Sequence, residues 1–233
     1  MINMAKRHLK KLAAPKTWPI KRKDRTFITR PYPGSHSLSM GISLSTVMRD
    51  LIKCANTKKE IKSILHDKDL LVDGRKRDDK HMVGLMDVVV IKDTNEHYRM
   101  LLDDKGKIAA FKIDASEASL KPSKIICKTK LKKGLTQLNM SDSRNLIVKD
   151  DTYKVGDSLL LSVPDQKVKD HLKLENGAYV FLTGGKHIGE AGTVMNIEGK
   201  IIKVKLKEGA FETSKEYAFV IGKEKPSISL GKQ

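Results

Sequence analysis

The chain has 233 residues, 46 lysines and arginines against 28 acids, a formal net charge of +18 and 39% hydrophobic residues. That size and hydrophobic content suit one large domain or two to three small ones with modest cores, and the charge calls for a polyanionic partner rather than a neutral or basic one. No apolar run of 18 residues exists to span a membrane, and two cysteines without metal-ligand spacing argue against a zinc module or a disulfide framework.

Residues 1–41 read as a basic arm. Ten cations in the first 30 residues face a single acid, Asp24, so this stretch holds half of the net charge of +18. Lys6, Arg7, Lys10, Lys11, Lys16, Lys21, Arg22, Lys23, Arg25 and Arg30 are therefore candidate phosphate contacts, because each cation placed on a phosphate releases a condensed counterion. The plainer alternative is a solubilising or disordered tail. Leu9 and Leu12 fit a short helix over 4–13 that Pro15 stops. Pro19, Pro31, Pro33, Gly34 and Gly41 keep the remainder extended or turning. Trp18, the one tryptophan, lies between Pro15 and Pro19. It joins His36 as a candidate RNA contact. Phe27, Ile28 and Tyr32 are expected to anchor the end of the arm.

Residues 42–103 read as a small α/β module. Leu44, Val47, Met48, Leu51, Ile52 and Ala55 share one helix face, with Arg49 and Lys53 off that stripe. Thr57 and Glu60 form a capping box for a second helix. Its inward side chains are Ile61, Ile64 and Leu65, and Lys58, Lys59 and Lys62 face outward. Leu70–Val72 gives a short strand, Asp73-Gly74 a tight turn, and Arg75, Lys76 and Arg77 follow at once. Val88–Ile91 reads as a buried strand. Tyr98, Met100 and Leu102 alternate as in a half-exposed one. The helix lysines and the loop after Gly74 suit the phosphates of a folded RNA; ordinary solvated faces are the alternative.

Residues 104–172 read mainly as strands of a small barrel or sandwich. Asp104–Lys107 makes a hairpin turn between 98–102 and 108–113. Further strands are expected at 125–130, 136–138, 146–148 and 158–163. The Asp142–Asn145 turn either presents Arg144 and Asn145 to RNA or is a plain structural turn. Residues 173–233 form another β-rich unit. Its stretch from Gly184 to Gly192 has neither phosphate-loop spacing and reads as tight turns that project Lys186 and His187. Ile202, Val204 and Leu206 alternate with Lys203, Lys205 and Lys207, giving one apolar and one basic face. Cys54 and Cys127 lie in apolar periodic segments and read as buried thiols of a reducing compartment.

Chemistry beyond binding finds no foothold. The seven histidines are dispersed, and no nucleophile motif accompanies the carboxylates. The reading is therefore no enzyme, no metal, no cofactor and no small-molecule substrate. Helix-turn-helix, zinc and zipper signatures are missing, as is an aromatic RNP pair. Aromatic residues are 5% of the chain, too few for stacking on single strands as the main mode. Charge spread over an arm, helices and β units favours phosphate and shape recognition of a large folded RNA. A free RNA chaperone or translation regulator and a DNA-compacting protein are the competing functions.

The run His8–Ile20, the segment Pro31–His36, Leu70-Leu71-Val72-Asp73-Gly74-Arg75, Gly84–Val88, Gly156-Asp157-Ser158 and Thr183–Lys186 with Gly189 and Gly192 resemble the ribosomal protein S4e family of archaea and eukaryotes. The resemblance spans essentially the whole chain. It implies a multidomain, mainly β fold. Residues 1–41 would be a basic extension and 42–103 a small α/β S4-like RNA-binding module. Residues 104–172 would be a central β domain, and 173–233 a C-terminal SH3-like KOW barrel with a tail. It also implies a structural constituent of the small ribosomal subunit, in the cytoplasm, bound to 16S-like rRNA beside neighbouring ribosomal proteins, with an archaeal length. Three departures stand out. His81 and Met82 replace an expected Tyr-Pro pair. Ser143 replaces a glycine, which weakens the expectation of a left-handed turn there. Glu190 puts an acid on the loop at the barrel tip.

Overall fold

In the computed structural model the described residues are 8–67, 70–149, 152–206 and 208–231. The arm is not a helix where it is described. Leu9–Lys10 (β1) pairs with Phe27–Ile28 (β2), and a 3-10 turn covers Lys11–Ala13 between them. The pairing of Leu9 and Lys10 with Ile28 and Phe27 takes up the backbone that a helix would have used. The chain then runs along the next unit. Ile108 N–H donates to Thr17, and Tyr32 N–H donates to Lys80.

Gly41–Ser43 (β3) leads into one helical turn, Leu44–Thr46 (α1), which widens into a π-helical stretch over Val47–Ile52. The predicted apolar face points inward: Leu44, Val47, Met48 and Ala55 are buried. The helix ends at Lys53 in the left-handed region (φ 63°) rather than continuing to residue 55. This break turns Cys54 outward, and Cys127 is exposed as well, so neither cysteine is the buried thiol expected. Lys58–Asp67 (α2) opens on the predicted capping box. Thr57 Oγ1 accepts from Glu60 N–H at 3.3 Å, and Glu60 Oε2 accepts from the N–H groups of Asn56 and Thr57 at 2.9 and 3.3 Å.

Leu70–Val72 (β4), Met82–Gly84 (β5), Val88–Ile91 (β6), Glu96–Leu102 (β7) and Ile108–Ile113 (β8) complete the α/β unit. β3 pairs with β5, and the four-stranded sheet runs in the order β4-β6-β7-β8. The β7–β8 hairpin carries this sheet past residue 103. Asp73 and Gly74 take φ values of 50° and 71°, the left-handed pair that a two-residue hairpin turn needs. Strand β7 departs from the expected half-exposed pattern. Arg99 through Leu102 are all buried, because residues 117–120 and the chain's tail cover the face opposite the core. Arg99 donates to the carbonyls of Glu117 and Leu120 at 3.0 and 2.7 Å. The Glu117 carboxylate in turn accepts from Ser229 N–H at 2.9 Å.

The central sheet is built from Leu120–Lys130 (β9), Thr136–Met140 (β10), Asn145–Val148 (β11), Ser158–Ser162 (β12) and Val168–Leu172 (β13), in the order β11-β10-β9-β12-β13. Strand β9 serves two partners. Its first half pairs with β12 and its second half with β10, so Pro122 sits where β9 has a single neighbour and its missing N–H is tolerated. β13 has no counterpart among the expected strands. Its exposed Val168, Lys169 and Asp170 give it little apolar alternation. The C-terminal sheet comprises Tyr179–Leu182 (β14), Ala191–Glu198 (β15), Ile201–Leu206 (β16), Gly209–Ser214 (β17) and Ala218–Gly222 (β18), in the order β17-β16-β15-β14-β18. A 3-10 turn at Lys215–Tyr217 joins its last two strands. The period-two pattern of β16 is realised: Ile202, Val204 and Leu206 are buried.

Three cores result. The largest joins Ala14, Trp18 and Ile28 of the arm to Leu44, Met48, Val89 and Leu101, and also takes in Ile228 of the tail. Smaller cores fill the central sheet around Ile125, Leu138 and Leu159, and the C-terminal sheet around Val180, Ile202 and Val204. A cavity of about 870 Å³ opens where the three units meet, walled by Met40, Leu85, Ile125, Ile126 and Phe219. Beside it Lys124 Nζ donates to the carbonyls of Glu216 and Ala218 at 2.7 and 2.6 Å and so ties the central sheet to the C-terminal one. Burial pulls the Lys124 ammonium down to about 8, with Lys215 adding to the shift and Glu216 opposing it.

Candidate nucleic-acid interface

The candidate cations divide by what already holds them. One group is exposed. In the arm these are Lys10, Lys16, Lys21, Lys23 and Arg25. In the α/β unit they are Lys53, Lys58, Lys59, Lys62, Arg75, Lys76 and Arg77. Asn145 of the β10–β11 turn and Lys186 and Lys205 of the C-terminal sheet are exposed too. Their placement follows from local structure: the α2 lysines are outward because Ile61, Ile64 and Leu65 take the inner face, and Arg75–Arg77 ride on the tight turn after β4. Lys6 and Arg7 lie outside the described residues, as does Lys207.

A second group is occupied within the chain. Arg22 stitches the arm to itself, with Nη1 donating to Ala14 at 2.9 Å and Nη2 to Pro15 at 2.8 Å. Arg49 forms a two-point pair with Asp50, both contacts 2.8 Å. Among the exposed lysines, Lys58 also reaches Asp79 at 3.1 Å. Half-buried Lys203 pairs with Glu212 at 3.1 Å, and Arg30 is half-buried. His187 does not project. Its ring lies tilted against Phe211 with centroids 4.1 Å apart, and its Nδ1 is 3.4 Å from Glu190.

A third group is buried. Trp18 is 1% exposed, and its indole N–H donates to the carbonyls of Gly41 and Leu38 at 2.9 and 3.1 Å. No face of that ring is open to a base; the residue is a core anchor for the arm. Lys11 is 5% exposed and pairs with Asp24 at 3.3 Å. His36 lies flat over Gly84, where a β-carbon would come within 2.4 Å of the imidazole. From there its Nε2 donates to Asp87 at 3.0 Å. Gly84 is thus a close-approach glycine, needed because the ring occupies the space a side chain would take.

Asp87 belongs to an ionic cluster that sequence reasoning did not assemble. At its centre is Lys121 of β9, 1% exposed. Its ammonium binds Asp73 at 2.6 Å, Asp142 at 3.3 Å and Asp87. Arg144 adds a second cation, 2.6 Å from Asp73 and 3.1 Å from Asp142. Backbone and hydroxyl donors complete the shells: Val88 N–H to Asp73, Gly84 N–H to Asp87 and Ser123 to Asp142. Burial alone would lower the Lys121 ammonium, but the three carboxylates around it hold it above its ordinary value. Burial likewise would raise Asp87, and Lys121 and His36 hold it well below the usual carboxylate range. The cluster joins the α/β unit to the central sheet. Arg144 therefore has a structural task in the Asp142–Asn145 turn. That turn is left-handed at Ser143 (φ 59°) despite the lost glycine, and Ser143 Oγ donates to Ser35 at 2.9 Å. Asp73 and Asp142 were visible in the sequence only as turn residues, and no pattern marks Lys121.

No group of three or more histidine, cysteine or acidic side chains suited to a metal occurs among the described residues, and no helix among them is long and apolar enough to cross a membrane.

The model described as ribosomal family S4e matches residues 94–168, and that of the RS4NT domain matches residues 4–39. The chain is 42% identical to the small ribosomal subunit protein eS4 of Methanococcus vannielii over 240 residues, covering 97% of this chain and 98% of that protein. The eS4 protein of Methanosphaera stadtmanae is 42% identical over 238 residues, covering 99% and 98%. The crystal structure of 30S ribosomal protein S4e from Thermoplasma acidophilum superposes with a TM-score of 0.71 at 33% identity, covering 82% of this chain and 98% of that one. With identity of this level running through the arm, the junction and both sheets, the chain belongs to the ribosomal S4e family.

Proposed function

We propose that this chain is a structural constituent of the small ribosomal subunit that holds 16S-like rRNA through the exposed cations of its arm, its second helix and the turn after β4. Its work is scaffolding and not catalysis. The observation that carries this reading is the pairing of family membership with a row of cations left facing solvent: Lys16, Lys21, Lys23 and Arg25 in the arm, and Lys59, Lys62, Arg75 and Arg77 in the α/β unit. Cations already locked on carboxylates release few counterions; those facing water release one for each phosphate they meet. The RNA-facing set is accordingly narrower than the basic composition implies, and Trp18, Lys11 and His36 support it from the core.

The S4-like RNA-binding module comprises residues 42–103 together with strand β8 of the same sheet, and the described part of the extension, residues 8–41, lies along it. The expected boundary at 103 shifts, since β8 belongs to the first unit's sheet, and the central β domain runs from β9 to residue 172. Residues 173–233 form a KOW-type, SH3-like barrel, a reading supported by five antiparallel strands, a 3-10 turn before the last strand and glycine turns at Gly185 and Gly189. The partners are rRNA and adjoining ribosomal proteins in the cytoplasm. The test is sedimentation of tagged full-length protein through a high-salt gradient. Co-migration with the small subunit is expected, together with preference for small-subunit rRNA over duplex DNA in competition. Protein that stays at the top of the gradient would sink the reading.

A further inference from the structure

We propose that a cleft shared by the α/β unit and the central sheet is a seat for a single phosphate group of an RNA backbone, formed by Arg75 and Arg77 from the first unit and Arg144 from the second. The proposal rests on the rRNA reading above and gives it a specific locus. The cleft encloses about 270 Å³ between the Asp73-Gly74 turn, the Asp142–Arg144 turn and the β12–β13 connection at Gln166. It is a built feature: a β-carbon on Gly74 would lie 3.2 Å from the Pro164 ring, so the first turn is pressed against that connection.

The chemistry of its walls selects an anion. The floor contains Asp73, Asp87 and Asp142, but these carboxylates are turned onto donors of the protein. Asp73 takes Val88 N–H, Lys121 and Arg144; Asp87 takes Gly84 N–H, His36 and Lys121; Asp142 takes Ser123, Lys121 and Arg144. In meeting Asp142 and Asp73, Arg144 uses its Nε and Nη2. Its Nη1 is buried with no partner. A buried donor of a charged group left without an acceptor is costly, and an oxyanion in the cleft removes that cost. Arg75 and Arg77 line the same space, are exposed, and make no side-chain ion pair or hydrogen bond among the described residues. Burial, and then Arg77, hold half-buried His81 beside them toward its neutral form against the pull of Asp87 and Asp73, so the positive charge of the cleft comes from the arginines. Two free guanidiniums line the same cleft as Arg144, which has room for a phosphate group. Because the arginines come from different units, the seat exists only when those units are docked, and a bound phosphate stabilises the docking in return.

The experiment uses the full chain and two probes, inorganic pyrophosphate and transcribed small-subunit rRNA. Guanidinium NMR of Arg144 is followed during the pyrophosphate titration, and rRNA affinity is measured against salt. The variants are Arg75→Gln with Arg77→Gln, which touch no internal partner, and Arg144→Lys, which keeps a charge but has no Nη1. Pyrophosphate should shift the Arg144 resonance, and the double variant should weaken that response about tenfold. For rRNA the double variant should lose about tenfold in affinity, and its salt slope should shrink by about one phosphate's worth and not two, since both arginines serve one group. Arg144→Lys added to the double variant should cost less than the two losses combined. An unresponsive Arg144 with rRNA affinity untouched in the double variant overturns the seat and leaves the rRNA reading standing. A responsive Arg144 in a chain that holds no rRNA keeps the seat and overturns that reading.

Discussion

The arm and the junction around Lys121 carry the same kind of side chain for opposite purposes. In the arm, Lys16, Lys21, Lys23 and Arg25 face water, and the fold holds them through neighbours such as Trp18 and Arg22. At the junction, Lys121, Arg144 and His36 are turned onto Asp73, Asp87 and Asp142. The lesson is that a cation count does not identify a nucleic-acid interface. What matters is which cations the fold has already neutralised, and only the arrangement of the acids tells them apart.

That contrast can be broken most forcefully at Lys121. Replacing it with methionine takes one cation from three buried carboxylates and leaves Arg144 and His36 to hold them, so a loss of about 3–5 kcal/mol is expected in urea unfolding. A loss below about 1 kcal/mol would mean that the cluster is wet and weak. Trp18→Ala should cost about 3 kcal/mol or more, because the arm shares the largest core. A free tail would instead lose nothing, and the melting midpoint distinguishes the two. At the third level stands Lys124. Its folded value of about 8 lies below its ordinary one, so between these values the unfolded chain binds a proton the folded chain does not. The stability of the protein relative to Lys124→Met should therefore rise by about 2 kcal/mol as pH climbs from about 8 to about 10.5. A flat difference across that window would show that the ammonium is not desolvated. The smallest stability effect is expected in the arm. Changing Lys16, Lys21, Lys23 and Arg25 together to glutamine should move stability by less than about 0.5 kcal/mol while lowering the salt slope of rRNA binding. An unchanged slope would move the RNA interface away from the arm.

Much of the local architecture could be read along the chain because its causes are local. The capping box at Thr57 and Glu60, the Asp73-Gly74 turn and the alternation in β16 each depend on residues within a few positions of one another. The departures have longer-range causes. The second half of strand β7 is buried on both faces because residues 117–120 and the tail at Ser229 cover it. Cys54 faces outward because the first helix widens and breaks at Lys53. Ser143 holds a left-handed turn because the carbonyl of Ser35, from a distant segment, accepts its hydroxyl.

The sequence by itself determined the basic character, many of the local elements and the family, since charge, apolar period and motif are properties of neighbouring residues. Tertiary structure decided which cations remain available. Lys121 meets acids 48 and 34 positions away, Arg144 one that is 71 away, and His36 one that is 51 away. A charge is neutralised by whatever lies within a few ångströms of it, and at those separations only the folded chain sets that distance.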